Sequence, residues 1–510
     1  MSNKRVFQVL AKKEALPGVL ETDLVGASYG GFQIKDPQLT YDIESYDREV
    51  LRGTLSPLTS LVGKVEANFS FAVELSGSTH ATNAPVWSVL MEACGMRKAA
   101  LYNAIWTGGF TGSASGTDKH MFTGELLTTT SGGSGAVVRV IHDVFESTTP
   151  TADTRRLYYE IVSGTPVNGD VLRPSSSDDS TGPLLTIGST STPSTQKGWA
   201  WVPTSDLILT IDIASIAAGT PANGDIYQGA TSGAILQALS ASLATAAQPF
   251  RVLDGTPTSG GETLTNLTQS TVNLVASTPA YAQSSFPTLS MALIEDGRVK
   301  RIKGCRGTVS MTAERGKPIF MNFQFKGAFA SVGNAGPVPG VVFTSKVPKG
   351  FQGIGFTIGS YASGEPGYLK SDTGHTPRVN AFTLDLGGGA NLQEDATQAT
   401  GTTGVAYPTE ARKSQGSMAI DVRPEASFPV IKKLTSSESF YTKIRIGGGT
   451  NNTFLISAPG CTGTGAGATD QNNFARDDFS FTCSGLKPDG SDGADREIVL
   501  TYHYASNGTF

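Results

Sequence analysis

One succession of segments is written twice in this chain, far apart, with foreign material inside the first copy. In the first copy Val65 to Leu75 alternates strictly and runs through a Ser/Thr/Asn linker into Ala84-Pro85-Val86-Trp87-Ser88-Val89-Leu90-Met91-Glu92-Ala93-Cys94-Gly95. In the second, Ser417-Met418-Ala419-Ile420-Asp421-Val422 precedes Ser427-Phe428-Pro429-Val430-Ile431-Lys432-Lys433-Leu434. Each copy then passes a Gly-Cys pair, Gly304-Cys305 and Gly460-Cys461. Strand-turn-strand follows both times, Thr308 to Ala313 with Ile319 to Phe325, and Asp478 to Cys483 with Glu497 to Tyr504. A unit that alternates with period two and carries one helix beside it reads as a β-domain with one lateral helix. Written twice, it is a building block for a ring and points to a structural protein before an enzyme.

Composition supports the β reading. Only 16% of the 510 residues are charged, Gly numbers 60 and Phe 24, which suits many short strands joined by turns. The formal charge of -5 argues against general affinity for DNA or anionic membranes, because that affinity comes from Lys and Arg displacing condensed counterions. It does not argue against passive passage of nucleic acid. No apolar run reaches the length of a membrane span, and the stretch from Met1 to Lys13 has too short an apolar core for a signal peptide, so folding in a cytoplasm is expected. Cys94, Cys305, Cys461 and Cys483 are too few and scattered for a disulfide scaffold and read as buried thiols, the middle two marking the repeat.

Along the chain, residues 1–20 read as an extended arm, and 1–123 with 280–345 as the first β-domain. In the strand from Val65 the odd positions share an apolar face, while Glu66, Asn68, Ser70, Ala72 and Glu74 share a polar one. Asn83 is the expected N-cap of the helix, Trp87, Leu90, Met91 and Cys94 its buried stripe, and Gly95 its end. Residues 124–279 shift to Gly, Thr, Ser and Pro and read as an inserted domain of small β-modules. The phrases Gly124-Glu125, Gly169-Asp170, Gly224-Asp225 and Gly261-Glu262 recur there at intervals of 45, 55 and 37 residues, too uneven for a solenoid. One helix is expected in the insertion, over 232–246. Residues 346–377 read as a linker with a long hairpin, and 378–510 as the second β-domain.

Few residues suggest catalysis. Gly26-Ala27-Ser28-Tyr29-Gly30 has the spacing of a nucleophile elbow but loop-like flanks. His80, His120, His142, His375 and His503 never fall at metal-ligand spacing. The acidic stretch Asp489 to Asp495 lacks the ligand order and closing Glu of a calcium loop and reads as a hairpin tip. No metal, no cofactor and no enzymatic activity are therefore expected. Arg48 and Arg52 in the first copy and Arg412 in the second each precede the alternating strand, and read either as solvated charges or as partners in intersubunit ion pairs.

At several of these places the chain resembles the tail tube proteins of long-tailed bacteriophages. The carriers are Tyr46-Asp47-Arg48 leading into Gly63 to Leu75, the helix phrase Ala84 to Met96, and Asp296-Gly297 through Thr308 with the downstream Phe323-Gln324-Phe325-Lys326-Gly327. The likeness covers about 350 residues and skips the insertion. The resemblance implies an all-β fold of two tube-type sandwiches, each with a lateral helix, that lend strands to an inner β-barrel shared between subunits, with the insertion as outer decoration. It implies stacked homo-oligomeric rings in a virion tail, assembled in the host bacterial cytoplasm, with trimers favoured over hexamers because one chain carries two copies. DNA would pass through the lumen, and tape measure, tail terminator and baseplate or distal tail proteins would be the partners. Glu66, Asn68, Ser70 and Glu74 become the lumen-facing candidates, and Arg48, Arg52 and Arg412 the intersubunit ones. The second reading is a carbohydrate-binding or adhesin-like virion surface protein, with Trp199, Trp201 and Tyr227 stacking sugars.

Overall fold

The computed structural model describes residues 7–504, apart chiefly from 22–29, 47–60, 108–118, 146–154, 175–184, 189–191, 204–207, 217–220, 240–246, 255–261, 269–272, 283–286, 335–349, 361–368, 396–400, 409–411, 422–438, 448–452 and 486–495. The chain is almost wholly antiparallel strand, with one short α-helix, Ser88–Ala93, among the described residues. No helix among these residues is long and apolar enough to cross a membrane.

Two matching quartets of strands are present. The second does not use the expected pair 478–483 with 497–504: Phe474–Cys483 pairs with Thr453–Gln471, and Val499–His503 pairs with Thr453–Ser457 and Gly198–Trp201, because the counterpart of 308–313 lies directly after the Gly-Cys pair. In the first, Ile34–Tyr46 pairs with Leu61–Glu74, which pairs with Phe320–Asn334, which pairs with Arg298–Glu314. In the second, Val379–Asp385 pairs with Gln415–Asp421, which pairs with Phe474–Cys483, which pairs with Thr453–Gln471. The same 156 residues separate Cys305 from Cys461, Phe323 from Phe479 and Phe325 from Phe481. Ladder partners correspond as well: Phe71 opposes Phe323 as Met418 opposes Phe479. The quartets join directly, since Ser310 to Glu314 pair with Asp385 to Ala381 in register. The result is one continuous eight-stranded antiparallel sheet, four strands from each copy.

Correspondence extends to a second layer. Phe7–Lys13 pairs with Leu289–Glu295, which pairs with the first half of Arg298–Glu314. Likewise Gly355–Ser360 pairs with Phe440–Ile446, which pairs with the first half of Thr453–Gln471. The N-terminal stretch read as an arm thus contributes a paired strand, and 355–360, read as linker and hairpin, holds the same place in the second copy. Gly355–Ser360 does form a hairpin with Thr373–His375, as expected there, but the ladders that set both strands in the second layer are to strands distant in sequence. Hairpin Ala390–Glu394 with Thr402–Pro408 is an addition to the second copy, and it lies over the first at Arg306, whose Nη1 donates to Ala406 O at 3.0 Å. Gly304 lets it come close: its φ is +61°, and a Cβ there would stand 2.0 Å from Gly404 O.

A single hydrophobic core lies between the layers and spans both copies. Phe69, Phe71, Phe323 and Phe325 fill the first half and Phe440, Phe479 and Phe481 the second, with ring centroids 4.9 to 6.1 Å apart. The helix closes one end. It is shorter than its sequence pattern, has Trp87 in the N-cap position with no side-chain cap in place of Asn83, and ends at Gly95 with φ +82°. Trp87 donates from Nε1 to Ser76 O at 2.7 Å and packs on Trp201 at 4.5 Å and Phe454 at 6.4 Å. The first copy's helix is therefore buried partly against the second copy, so the copies share one core.

The insertion is itself a duplication. Its first barrel runs Met96–Thr107, Arg155–Ser163, Val137–Phe145, Leu126–Ser131, Val171–Pro174, Leu185–Ile187 and back to Met96–Thr107. The second runs Ile208–Ile216, Ala247–Asp254, Ile235–Ala238, Ile226–Gly229, Glu262–Asn266, Asn273–Ala282 and back to Ile208–Ile216. In chain order the two barrels have the same topology. The recurring Gly-acid phrases open corresponding strands, Gly124-Glu125 with Gly224-Asp225 and Gly169-Asp170 with Gly261-Glu262; in two of them, Asp170 Oδ2 accepts from Val167 N and Asp225 Oδ2 from Ala222 N, each at 2.9 Å, which closes a tight turn ahead of the strand. The helix expected over 232–246 is not formed where the chain is described, because Ile235–Ala238 is a barrel strand whose Leu236 and Ala238 are buried. Ala and Leu composition misled there, and long-range pairing overrode propensity; residues 240–246 lie outside the described ones.

The first barrel is not separable from the body. Gly198–Pro203, inside the expected insertion, runs between Met96–Thr107 and the C-terminal strand Val499–His503. Trp201 on that strand is fully buried in the shared core. At this seam His503 stands edge-on to Tyr158 at 5.7 Å, and burial, aided by Arg156 and Lys197, pushes its pKa down to about 4.

Two outcomes follow from these seams. Ile208 opposes Ala282, so replacing 207–283 by a short Gly/Ser linker should leave a cooperatively folding chain, whereas replacing 126–279 removes a core strand and should abolish the melting transition in circular dichroism. A histidine whose folded pKa lies below its unfolded one disfavours protonation in the fold, so its stabilising contribution is full above pH 6.5 and fades as pH falls toward 4. Denaturant titrations should show a loss on the order of 3 kcal/mol over that window, and His503→Gln should remove this step.

Candidate functional site

The eight-stranded sheet has one face against the core and one largely uncovered. Alternation decides the sides: Leu39, Phe69, Phe325 and Gly307 stand in one row across the ladders, and Thr40, Asn68, Lys326 and Arg306 in the next. The second copy repeats this, with Leu384, Gly416 and Phe481 in one row and Thr383, Ser417 and Ser480 in another. Across the open face most side chains are small or polar, Phe320 excepted: Gln38, Ser70, Gln324, Thr308, Ser310 and Thr312 in the first copy, Thr383, Gln415, Ser417, Ser480 and Thr482 in the second. Hydrogen bonds knit neighbours, as between Thr383 Oγ1 and Ser417 Oγ at 2.6 Å and from Asn322 Nδ2 to Thr312 Oγ1 at 3.3 Å. Two shallow depressions on this face are lined by Lys35, Gln38, Ser70, Thr312 and Gln324, and by Thr40, Asn68, Thr308 and Lys326.

Charges on this face are mixed in sign. Lys35 lies over the Phe320 ring at 5.1 Å, and Lys317 pairs with Glu314 at 2.5 Å, which holds that carboxyl below its ordinary range. Glu74, Asp385 and Asp478 add negative charge and Lys326 positive. A cleft of one sign would focus field and hold counter-charge; this alternation does not.

Of the four residues singled out by alternation, Asn68, Ser70 and Glu74 lie half-buried on the open face. Glu66 shares the row but sits under the added hairpin's end, 8% exposed and 2.5 Å from Lys64, whose own pKa is raised chiefly by that hydrogen bond. Lys64 reaches Glu394 of the hairpin at 3.9 Å. Arg412 bonds within the chain: its Nη1 donates to Gly95 O at 3.1 Å and its Nη2 lies 3.6 Å from Glu497, so it ties the end of the first copy's helix to the second copy. Arg48 and Arg52, the elbow-like residues 26–29 and the acidic stretch 489–495 lie outside the described residues.

Sequence reading did not assign faces to the strands 308–313, 320–326 and 478–482, which supply most of the open face. Their own alternation was the missed signal. All four cysteines are free and buried, with the Cys94, Cys305 and Cys461 thiols pushed up by burial. Among the described residues no group of three His, Cys, Asp or Glu could hold a metal ion. Of the aromatics considered for sugar stacking, Trp201 and Tyr227 are fully buried, and Trp199 is half-buried under Lys98, which lies 5.0 Å from its ring.

The eight-stranded sheet ends in two open strands. Ile34–Tyr46 pairs only with Leu61–Glu74, and Thr453–Gln471 from Thr462 onward pairs only with Phe474–Cys483, among the described residues. No protein-family model matches this chain, and no curated protein matches it in sequence.

Proposed function

We propose that this chain is a tail tube protein of a bacteriophage virion, which polymerises as stacked rings around a channel for DNA. The observation that carries the reading is the eight-stranded sheet, with its apolar side in the core, its polar side largely uncovered outside the hairpin Ala390–Pro408, and both end strands open. A long open edge invites either disordered aggregation or ordered closure, and closure into a barrel removes the edges altogether. In such a barrel the uncovered face becomes the wall of a wet channel. Short uncharged side chains interspersed with charges of both signs give DNA little to grip, because strong binding needs a field of one sign.

The internal repeat sets the count. One chain supplies two equivalent quartets, and three chains would close a barrel of roughly twenty-four strands, which at ~4.8 Å spacing and about 40° tilt encloses a backbone cylinder on the order of 50 Å across. Six chains would double that width. The ring therefore has true threefold and pseudo-sixfold symmetry, with the two small barrels outside. Negative-stain and cryo-electron microscopy of the purified chain test this: tubes with three chains per ring and residues 379–385 and 415–421 in the inner wall are expected. Dispersed particles, or rings of six chains with the second copy outside the wall, would overturn it. Within such tubes, Ser70→Lys with Ser417→Lys makes the wall basic and is expected to slow DNA passage in ejection assays without loss of tubes.

A further inference from the structure

The chain contains its own picture of how one molecule meets the next. The edge of the first quartet, Ser310 to Glu314, and the first strand of the second, Ala381 to Asp385, already form an antiparallel junction inside the molecule. Their counterparts are the two strands left open at the ends of the sheet. Ladder partners define the correspondence. Ser310 and Gly467 oppose the equivalent residues Asn322 and Asp478. Asp385 opposes Gln415 as Thr40 opposes Asn68, and Leu384 opposes Gly416 as Leu39 opposes Phe69.

We infer that strand Ile34–Tyr46 of one chain pairs antiparallel with residues 463–471 of a second copy, in the register Thr40 opposite Gly467, Leu39 opposite Ala468 and Gln38 opposite Thr469. The partner is another copy of this chain, because the junction needed is one this sequence already makes with itself. The inference rests on the ring reading above for closure after three chains; the register comes from the ladders alone.

Three features of the edges fit this occupant. The open stretch Thr462-Gly463-Thr464-Gly465-Ala466-Gly467-Ala468 carries none of the Lys or Pro residues that usually blunt a free edge. A Cβ at Gly465 or Gly467 would meet nothing within 4 Å in the single chain, so the polar face beside this edge is clear and a side chain placed there has room. On the opposing strand Ile43 is 56% exposed although it points to the apolar side with Leu39 and Tyr41. Inside the chain, Leu386 N donates to Val309 O at 3.1 Å and carries the junction one step further. The same step between chains brings Tyr41 beside Ala466, which is exposed on the apolar side of its own sheet. Small residues on one edge thus receive large ones from the other.

The test is a paired-cysteine cross-link in the full chain. Thr40→Cys with Gly467→Cys, assembled and then treated with oxidised glutathione or a short bismaleimide, is expected to run as a covalent trimer in denaturing gels. Leu39→Cys with Gly467→Cys projects to opposite faces and is expected to stay uncross-linked. The native cysteines are buried and do not compete. Amide hydrogen exchange of the unaltered chain gives a second readout: assembly should slow exchange at residues 38–42 and 464–469 by at least about tenfold. Tubes that form with unprotected edges, or that cross-link only in the control pair, overturn the register and leave the tube reading standing. A wild-type chain that never assembles overturns both.

Discussion

Everything in this molecule hangs on one ladder, the five-residue junction in which Ser310 to Glu314 meet Asp385 to Ala381. Without it the two quartets would be joined only at their margins, through the helix, the added hairpin and Gly198–Pro203, and each sheet would have two open edges. With it the sheet continues from one copy into the other, the polar rows line up across both, and the core beneath becomes continuous from Phe69 to Phe481. Backbone hydrogen bonds fix the register here, and register is what a sheet with one buried face cannot change: a slip of one residue would turn Met311 and Leu384 to water and Thr312 and Thr383 to the core.

Two duplications at different scales are nested in the chain. The outer one made the two quartets, and the inner one made the two six-stranded barrels within the first copy's connection from helix to strand. They were fastened differently. The first barrel borrows Met96–Thr107, the strand that leaves the helix, and is stitched to the second copy through Gly198–Pro203. It is also braced by a buried cluster in which Arg97 holds both carboxylate oxygens of Glu160 at 2.8 Å, with Arg139 at 3.7 Å. Burial alone would push the Glu160 carboxyl up, but the two guanidinium groups outweigh it and keep it ionised. The second barrel leaves and returns at neighbouring strands, Ile208–Ile216 and Asn273–Ala282, and leans on the first through Leu126, Val137, Ile226 and Ile235.

Much of the body was legible because its signals are local. The alternation from Val65 to Leu75 gave the strand and its faces, and the Gly-Cys pairs marked the repeat, while the matching phenylalanines 156 residues apart go unread when 308–313 is set against 478–483. What escaped reading depends on partners distant in sequence. Gly355–Ser360 forms the expected hairpin with Thr373–His375, but nothing local shows that it and the N-terminal stretch Phe7–Lys13 hold equivalent places beside Phe440–Ile446 and Leu289–Glu295. Helical propensity over 232–246 was outweighed where Ile235–Ala238 closes a barrel. The open face was half legible: Asn68, Ser70 and Glu74 were found from one strand, but Glu66 is covered by a hairpin whose landing place no local pattern reveals.

That hairpin shows why equivalence between the copies is incomplete. Ala390–Glu394 and Thr402–Pro408 project from the second quartet onto the first, burying Ala328, Leu392 and Ala406 and bonding Arg306. The first quartet therefore receives a cover from the second within one chain. The surface of the second quartet that corresponds to Arg306 and Lys326 is made of Thr462 and Thr482, smaller and uncharged, and Thr482 is exposed. A position that must bond a fixed neighbour in the same chain can carry a buried guanidinium, because its partner is always present. The equivalent position in the second quartet has no such cover within the described residues and carries threonine, since a charge left buried and unpaired costs far more than a threonine left in water.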